Sequence, residues 1–134
     1  MTANTSPIFP VAPRSQAMAV VGSGAIAART SITGTTGLTL CFTPGANGSR
    51  IDTIRINGTG ATLAGNLDFW VYNGTTSNLL TQTLISAVTL SATAAGFSTM
   101  LAFTDLVIPT GYALYCSSEV ASQLVNTIVS GGDY

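Results

Sequence analysis

The side chains that could do chemistry in this chain are few and scattered. It has no histidine and no lysine, and only four arginines and five carboxylates in 134 residues. The carboxylates are Asp52, Asp68, Asp105, Glu119 and Asp133. They show neither an Asp-x-Asp pattern nor EF-hand spacing, and acid-base catalysis and metal ligation draw on histidine or clustered carboxylates. The sequence therefore predicts no enzyme, cofactor or metal site, with a glycosidase carboxylate pair or a loop calcium site as alternatives that folding could still assemble.

Phosphate recognition is also missing from the pattern. A P-loop requires a lysine, and Gly22-Ser23-Gly24 lacks the third glycine of a dinucleotide fingerprint. Nucleic-acid binding depends on clustered lysine and arginine side chains that neutralise phosphates. With four scattered arginines, the chain is predicted to have no nucleic-acid partner.

The two cysteines, Cys41 and Cys116, have no histidine partner, which removes a Cys-His nucleophile. Residues 1–13 lack the basic and apolar regions of a secretory signal peptide, so we expect folding in a reducing cytoplasm. Thiols stay reduced in that compartment. We therefore expect two separate buried thiols rather than a disulfide.

The low charge of the chain points to contact with other subunits. Charged residues make up 7% of the sequence and the mean hydropathy is +0.48, whereas an ordinary soluble domain has roughly 25% charged residues. Threonine, alanine, glycine and valine lose little rotamer entropy at an interface, and long charged side chains lose more. This composition is typical of a subunit of an obligate assembly.

Residues 1–15 differ from the rest of the chain by their regularly spaced prolines. Proline at every third position fixes φ and suits an extended polyproline II segment. We expect an arm over residues 1–15 that lies on a neighbouring subunit, followed by one domain over residues 16–134. The candidate contact residues of the arm are Pro7, Ile8, Phe9, Pro10, Val11, Pro13 and Arg14. The alternative is a disordered terminus, in which exposed Ile8 and Phe9 would be unfavourable.

Short apolar or alternating runs recur along the remaining chain, with turn residues between them. They predict about eight strands, at residues 17–21, 38–43, 50–56, 67–72, 79–85, 97–107, 112–117 and 124–130. Turns are expected at three Asn-Gly pairs and at Pro109-Thr110-Gly111, and the closing Gly-Gly-Asp-Tyr is expected to be a flexible tail. The predicted fold is all-β, a single-domain β-sandwich or jelly roll with an extended proline-rich N-terminal arm.

Residues 84–103 are uncharged and long enough to span a bilayer. Serine and threonine dilute the run, Gly96 interrupts it, and no lysine or arginine follows it to set an orientation. We expect two strands joined by a turn near residues 94–96, and no membrane partner.

Trp70 and Tyr72 alternate with the apolar residues of one predicted strand. Leu67, Phe69 and Val71 share one face, and we assign that face to the core. Trp70 and Tyr72 would then point outward, as a sugar-stacking platform, a subunit contact, or two rings packed under a loop.

Arg50 and Arg55 carry two of the four positive charges within six residues, with Asp52 between them. We expect ion pairs within the subunit or across an interface, with a dedicated anion site as the alternative.

Four segments together resemble small β-sandwich proteins of tailed bacteriophages that decorate or cement the capsid. They are residues 1–10 (MTANTSPIFP), 43–51 (TPGANGSRI), 106–112 (LVIPTGY) and 131–134 (GGDY). The resemblance implies a jelly-roll-like subunit, commonly trimeric, seated where major capsid subunits meet. It further implies synthesis in the host cytoplasm and a place on the outer capsid surface of the virion.

We therefore expect a structural virion protein that bridges and stabilises major capsid subunits. The alternative is a binding module of a head fibre, tail or surface, of lectin-like type, in which Trp70 and Tyr72 would contact glycans. The variant Trp70→Ala separates the two expectations, because loss of glycan binding with assembly intact would favour the second.

Overall fold

The computed structural model describes residues 12–20 and 31–134, and for residues 17–20 it describes the backbone. These residues form nine strands and contain no helix, so none of them belongs to a helix that could cross a membrane. The strands are β1 (Ala12–Val20), β2 (Ser31–Thr33), β3 (Thr39–Phe42), β4 (Ser49–Gly58), β5 (Gly65–Tyr72), β6 (Thr76–Ile85), β7 (Ser98–Ile108), β8 (Ala113–Ser118) and β9 (Val125–Asp133). The predicted all-β class is confirmed.

The strands form two antiparallel sheets, consistent with the predicted β-sandwich. Sheet A has the order β1-β9-β4-β7, and sheet B has the order β2-β6-β5-β8-β3. Eight of the nine strands coincide with the eight predicted ones. The exception is β2, whose three residues are too few to show an alternating pattern.

The core lies between the inner faces of the two sheets. Its fully buried side chains are Cys41, Phe42, Ile51, Ile54, Ile56, Leu67, Phe69, Ile85, Ile108, Leu114, Cys116, Val125 and Val129. In β5, Leu67 and Phe69 belong to this cluster and Val71 packs against it. The predicted core face of that strand is therefore confirmed.

The two cysteines meet inside this core. Cys41 in β3 and Cys116 in β8 are fully buried and form a disulfide, with their Cα atoms 6.3 Å apart. The expectation of burial is confirmed and the expectation of separate thiols is wrong. Adjacent strands bring the residues together across 75 positions of sequence, a proximity that composition and compartment could not reveal.

The predicted turns are confirmed in part. Asn73-Gly74 closes the β5–β6 hairpin, where Asn73 Oδ1 accepts hydrogen bonds from the N–H groups of Thr75 and Thr76. Asn47-Gly48 lies in a turn closed by the Gly48 N–H, which donates to the Gly45 carbonyl at 3.0 Å. Asn57-Gly58, by contrast, belongs to the end of β4, because tertiary pairing outweighs the local turn preference.

The segment 84–103 contains the last two residues of β6 and the first six of β7, and these strands do not form the predicted hairpin. β6 belongs to sheet B and β7 to sheet A, so residues 86–97 cross from one sheet to the other. A tight turn lies within this connection, where Ser91 and Ala94 form an isolated β-bridge.

The first strand, β1, begins within the predicted arm, before residue 15. Ala12 to Ser15 are the first residues of β1 and pair with β9, so they belong to the sandwich. Pro13 fits there because β1 is an edge strand, where a missing N–H is tolerated. The arm residues Pro7, Ile8, Phe9, Pro10 and Val11 lie outside the described residues.

The C-terminal tail is also ordered into the sheet. Gly131, Gly132 and Asp133 are part of β9, which lies between β1 and β4 and pairs with both. The Gly-Gly pair therefore reflects close strand packing rather than flexibility.

Candidate functional site

Trp70 is the first residue whose predicted role the structure revises. It is 0% exposed, and its indole N–H donates to the Ser117 hydroxyl at 3.0 Å. Trp70 is absent from the core cluster between the sheets, so it is buried on the opposite face of sheet B. A ring held in this way offers no surface for a sugar to stack on. Trp70 therefore lies on the predicted side of β5, away from the core cluster, and it is buried there.

Tyr72 is half-buried on the same strand face. Its ring packs edge-on against Tyr115 with centroids 5.7 Å apart, and its hydroxyl donates to the Gly74 carbonyl at 2.8 Å. Both ends of the side chain are therefore engaged within the subunit. Among the three interpretations of Trp70 and Tyr72, this geometry agrees with rings packed inside the subunit.

Asp68, two residues before Trp70, is fully buried and accepts a hydrogen bond from Gln82 Nε2 at 2.7 Å. Gln82 lies opposite Asp68 in the β5–β6 ladder. A buried carboxylate needs such donors to offset its desolvation, so Asp68 serves the packing of sheet B.

Arg50 and Asp52 form the ion pair that the sequence predicts, with Arg50 Nε 2.8 Å from Asp52 Oδ1. The hydrogen bond to Asp52 raises the pKa of the Arg50 guanidinium, and the nearby charges of Asp52, Tyr134 and Asp105 add to the effect. Arg55 does not join this pair. It lies exposed on sheet A, with its guanidinium 4.0 Å from the Met100 sulfur. Among the described residues, the two arginines therefore form one surface ion pair, made by Arg50.

A second polar cluster joins the start of β1 to the ends of β4 and β9. The Ser49 hydroxyl donates to Asp133 at 2.5 Å, and Arg14 Nη1 lies 3.4 Å from the same carboxylate oxygen. The hydrogen bond from Ser49 and the Arg14 charge lower the pKa of Asp133, against a smaller opposing effect of burial. Arg14 also lies over the Phe42 ring, 4.9 Å from its centroid.

This cluster contains a serine and a carboxylate but no general base between them, so it lacks the relay of a hydrolase triad. Within residues 12–20 and 31–134, no group of three or more potential metal ligands comes together. The cluster fastens strand ends, and Arg14, predicted as a contact residue of the arm, is one of its members.

The surface that stands out lies at the other end of the sandwich. We call it the apolar loop end: residues 59–64, 86–97 and 119–124. It carries Leu63, Leu90 and Leu124, which are 47%, 45% and 49% exposed. The three loops contain one charged residue, Glu119. Exposed apolar groups clustered on a surface mark interaction sites more often than scattered ones do.

Hydrogen bonds between the loops hold this surface in place. The Gln123 side chain accepts from the Leu63 N–H at 2.8 Å and donates to the Leu63 carbonyl at 2.6 Å. Thr62 and Val88 exchange two backbone hydrogen bonds, and the Thr59 N–H donates to the Leu124 carbonyl. The leucines are therefore displayed by a fixed framework, which lowers the ordering cost of binding a partner.

The residues predicted as sites are not brought together. Trp70 and Tyr72 lie in sheet B, whereas Arg50 and Arg55 lie in sheet A. The apolar loop end was missed because its three segments are distant in sequence. The uncharged run at 84–103 is the available signal, and its pattern predicts two strands and a turn rather than an interaction surface.

The chain was compared with protein families, curated proteins and solved structures. No protein-family model, no curated protein and no solved structure matches the chain significantly.

Proposed function

We propose that this chain is a structural virion protein that decorates and stabilises a bacteriophage capsid by bridging major capsid subunits, as a trimer on the outer surface. The proposal rests on the resemblance described above and on the low charge of the chain. The observation that carries it is the apolar loop end, a fixed and nearly uncharged surface that displays three leucines. Such a surface suits a permanent protein contact.

We also propose that the sandwich is a jelly roll. In that fold a long antiparallel hairpin is rolled up, so the first strand pairs with the last and the pairing is nested inward. If β2 is set aside as an addition, the remaining eight strands support this arrangement: β1 pairs with β9, β3 with β8, β4 with β7 and β5 with β6. The strand order within each sheet agrees with the same nesting.

The apolar loop end of one subunit would bind the capsid shell weakly, so stable binding requires several subunits to bind together. Burying the exposed half of one leucine contributes about 1 kcal/mol, so three leucines in each of three subunits contribute roughly 9 kcal/mol before the entropy cost of association. A trimer contacts the shell at three equivalent points, so after the first contact forms, the other two form at a high effective concentration. The overall affinity is then much higher than that of a single contact. This is how a small subunit could resist the pressure of packaged DNA.

The structure does not support the glycan-binding alternative, which was based on an exposed Trp70 and Tyr72. It required Trp70 and Tyr72 to be accessible, and the first is fully buried while the second is engaged at both ends. We do not propose it further.

The test is binding to undecorated capsid shells of the phage that carries the gene. The triple variant Leu63→Ser, Leu90→Ser and Leu124→Ser is compared with wild type and with Val107→Ser, a control that removes a similarly exposed apolar residue from β7, outside the apolar loop end. We expect trimers of the 13.6 kDa chain, alone or joined in pairs, by native mass spectrometry. We expect wild-type and control proteins to saturate the shells, and the triple variant to bind at least tenfold more weakly while keeping its Trp70 fluorescence.

Equal occupancy by the triple variant would refute the role of the apolar loop end. A wild-type chain that stays monomeric and ignores the shells would refute the capsid function itself.

A further inference from the structure

The four edges of the two sheets formed by the described residues are protected unequally. In sheet B the edges are β2 and β3, which have three and four residues, and β3 is interrupted by a bulge. In sheet A the edge strand β1 contains Pro13. Short length, bulges and proline are the usual ways to prevent an edge from pairing with another chain.

The remaining edge, β7, lacks these protections over most of its length. It has eleven residues, Ser98–Ile108, without proline, lysine or arginine. On one side it pairs with β4, in regular register from Ser98 to Ala102. No other described strand pairs with it on the other side. A row of alternate N–H and C=O groups is therefore open to a further strand.

The side chains of this open stretch alternate cleanly. Ser98, Met100 and Ala102 are exposed on the outer face of sheet A. On the inner face, Phe97, Leu101 and Phe103 pack against the core but remain partly exposed, because the sandwich ends beside them. An added strand with the same pattern would extend the core and cover these three side chains.

We propose that β7 pairs antiparallel with β7 of a second copy of this chain, around a two-fold axis at Met100. The two four-stranded sheets would then join into one continuous sheet of eight strands. The axis falls at Met100 because this residue is the centre of the regular stretch, so both copies contribute the same five residues. Such a contact is isologous, as two-fold interfaces are.

This register is self-complementary on both faces. On the inner face, Phe97 of each copy lies opposite Phe103 of the other, which gives two aromatic cross-strand pairs of a favourable kind. On the outer face, Ser98 lies opposite Ala102 of the second copy and the uncharged Met100 lies opposite Met100, so no charged groups of the two strands face each other. The pairing therefore buries the partly exposed aromatic rings while opposing no like charges.

Charge also limits the contact to this stretch. The only charged residue of β7 is Asp105, which lies at a positive φ of 59° where the register with β4 is broken. The two copies of Asp105 would lie ten residues apart, roughly 30 Å at the rise of a β-strand. Their repulsion over that distance is screened, and the irregular backbone at Asp105 ends the pairing.

The proposal does not depend on the capsid function. A two-fold contact through β7 is separate from the three-fold contacts of a trimer, and both can occur in one assembly. The mass of the species that remains when β7 is blocked tells them apart: it is a trimer if the three-fold contacts form and a monomer if they do not.

Two matched double variants test the pairing and its register. In Ser98→Glu with Ala102→Glu, carboxylates face each other twice across the two-fold axis. In Ser98→Lys with Ala102→Glu, each lysine faces a glutamate of the second copy. Both positions are exposed and they are four residues apart along the strand. Both variants also remove the same exposed hydrogen bond, from the Ser98 hydroxyl to Asn57 Oδ1, so folding of the subunit should be affected equally.

We expect the wild-type chain to associate in pairs, by sedimentation equilibrium and native mass spectrometry. The Glu/Glu variant should weaken this association by about tenfold or more, since like charges directly opposite destabilise strand pairs. The Lys/Glu variant should restore it to within about threefold of wild type. In hydrogen exchange, the amides of residues 97–103 that point away from β4 should be protected in the wild type and in the Lys/Glu variant, and lose protection in the Glu/Glu variant. The amides of this stretch that bond to β4 should stay protected in all three.

Three results would overturn the proposal. They are a wild-type chain with no even-numbered species at millimolar concentration, a Glu/Glu variant that associates like wild type, and a Lys/Glu variant as weak as the Glu/Glu variant. The exchange measurement on the wild-type chain decides the outcome even if the Glu/Glu variant fails to fold, because β7 amides pointing away from β4 that exchange equally fast at low and high protein concentration contradict strand pairing.

Discussion

Replacing Gly131 by alanine tests how closely β9 and β4 approach each other. Gly131 pairs with Arg14 in β1 and with Ile51 in β4. A Cβ atom added at Gly131 would overlap the carbonyl oxygen of Arg50, and it would lie 2.9 Å from the Arg50 carbonyl carbon and 3.0 Å from Ile51 Cα. Ordinary contacts of a Cβ begin at 3.4 Å, so even these two carbon atoms would have to move by several tenths of an ångström.

The expected loss of stability follows from which atoms must move. Inserting a methyl group into a packed region costs about 1–3 kcal/mol when side chains can adjust. Here the obstacle is the backbone of β4, which is held in ladders on both sides by β9 and β7. The smaller entropy of the unfolded alanine chain offsets about 0.4–1 kcal/mol. We therefore expect Gly131→Ala to lower the free energy of unfolding by about 2–3 kcal/mol.

The assay is urea denaturation followed by the fluorescence of Trp70, the single tryptophan, which is fully buried in the folded chain. The control is Gly111→Ala. Gly111 has a φ of 81° and no atom within 4 Å of an added Cβ, so this variant carries only the backbone cost of about 1 kcal/mol. A Gly131 variant as stable as wild type to within about 0.5 kcal/mol, or less destabilised than the control, would refute the steric reasoning.

Two further predictions concern the polar contacts described above. Trp70→Phe removes the N–H that donates to the Ser117 hydroxyl and shrinks a buried ring, so the free energy of unfolding should fall by about 2 kcal/mol. A double-mutant cycle with Ser117→Ala, measured by circular dichroism during denaturation, should show a coupling energy of about 1 kcal/mol between the two side chains. A coupling energy of zero would contradict the hydrogen bond. Asp133→Asn should be less stable than wild type at pH 7, because Ser49 and Arg14 lower the pKa of the folded Asp133 carboxylate. That contribution is complete above the unfolded pKa, about 3.9, and is lost as the pH falls through the lower folded pKa, so the two stability curves should converge below about pH 4. A difference that stays constant down to pH 2 would show that the Asp133 charge is not its source.

Local sequence signals identified most of the strands because each depends on neighbouring residues. The alternation of Leu67, Phe69 and Val71 predicted both a strand and its core face, and the structure confirms both. The turn at Pro109-Thr110-Gly111 is likewise local. It is closed by the Tyr112 N–H on the Pro109 carbonyl at 3.1 Å, with Gly111 at a positive φ. Turns of this kind can be predicted from the sequence because proline and glycine restrict the local backbone, whichever distant contacts form later.

What the sequence could not predict depends on which strands become neighbours. The glycines at 131 and 132 look like a flexible tail until β9 is placed between β1 and β4. Trp70 looks exposed by alternation, but burial on that face depends on what packs against sheet B. The disulfide between Cys41 and Cys116 likewise follows from β3 lying beside β8. In each case the decisive partner lies far away in the sequence.

The few charges of the described residues are distributed unevenly along the sandwich, and this asymmetry gives it an orientation. One end, where β1 begins and β9 ends, holds the ion pairs and the nearby bulge of β7. Its charged residues are Arg14, Arg50, Asp52, Asp105 and Asp133. The opposite, apolar loop end holds Glu119 alone. Charged groups resist desolvation, whereas exposed leucines gain from it. The charged end therefore favours water and the apolar loop end favours a protein surface, so a subunit that assembles should approach its partner with residues 59–64, 86–97 and 119–124 first.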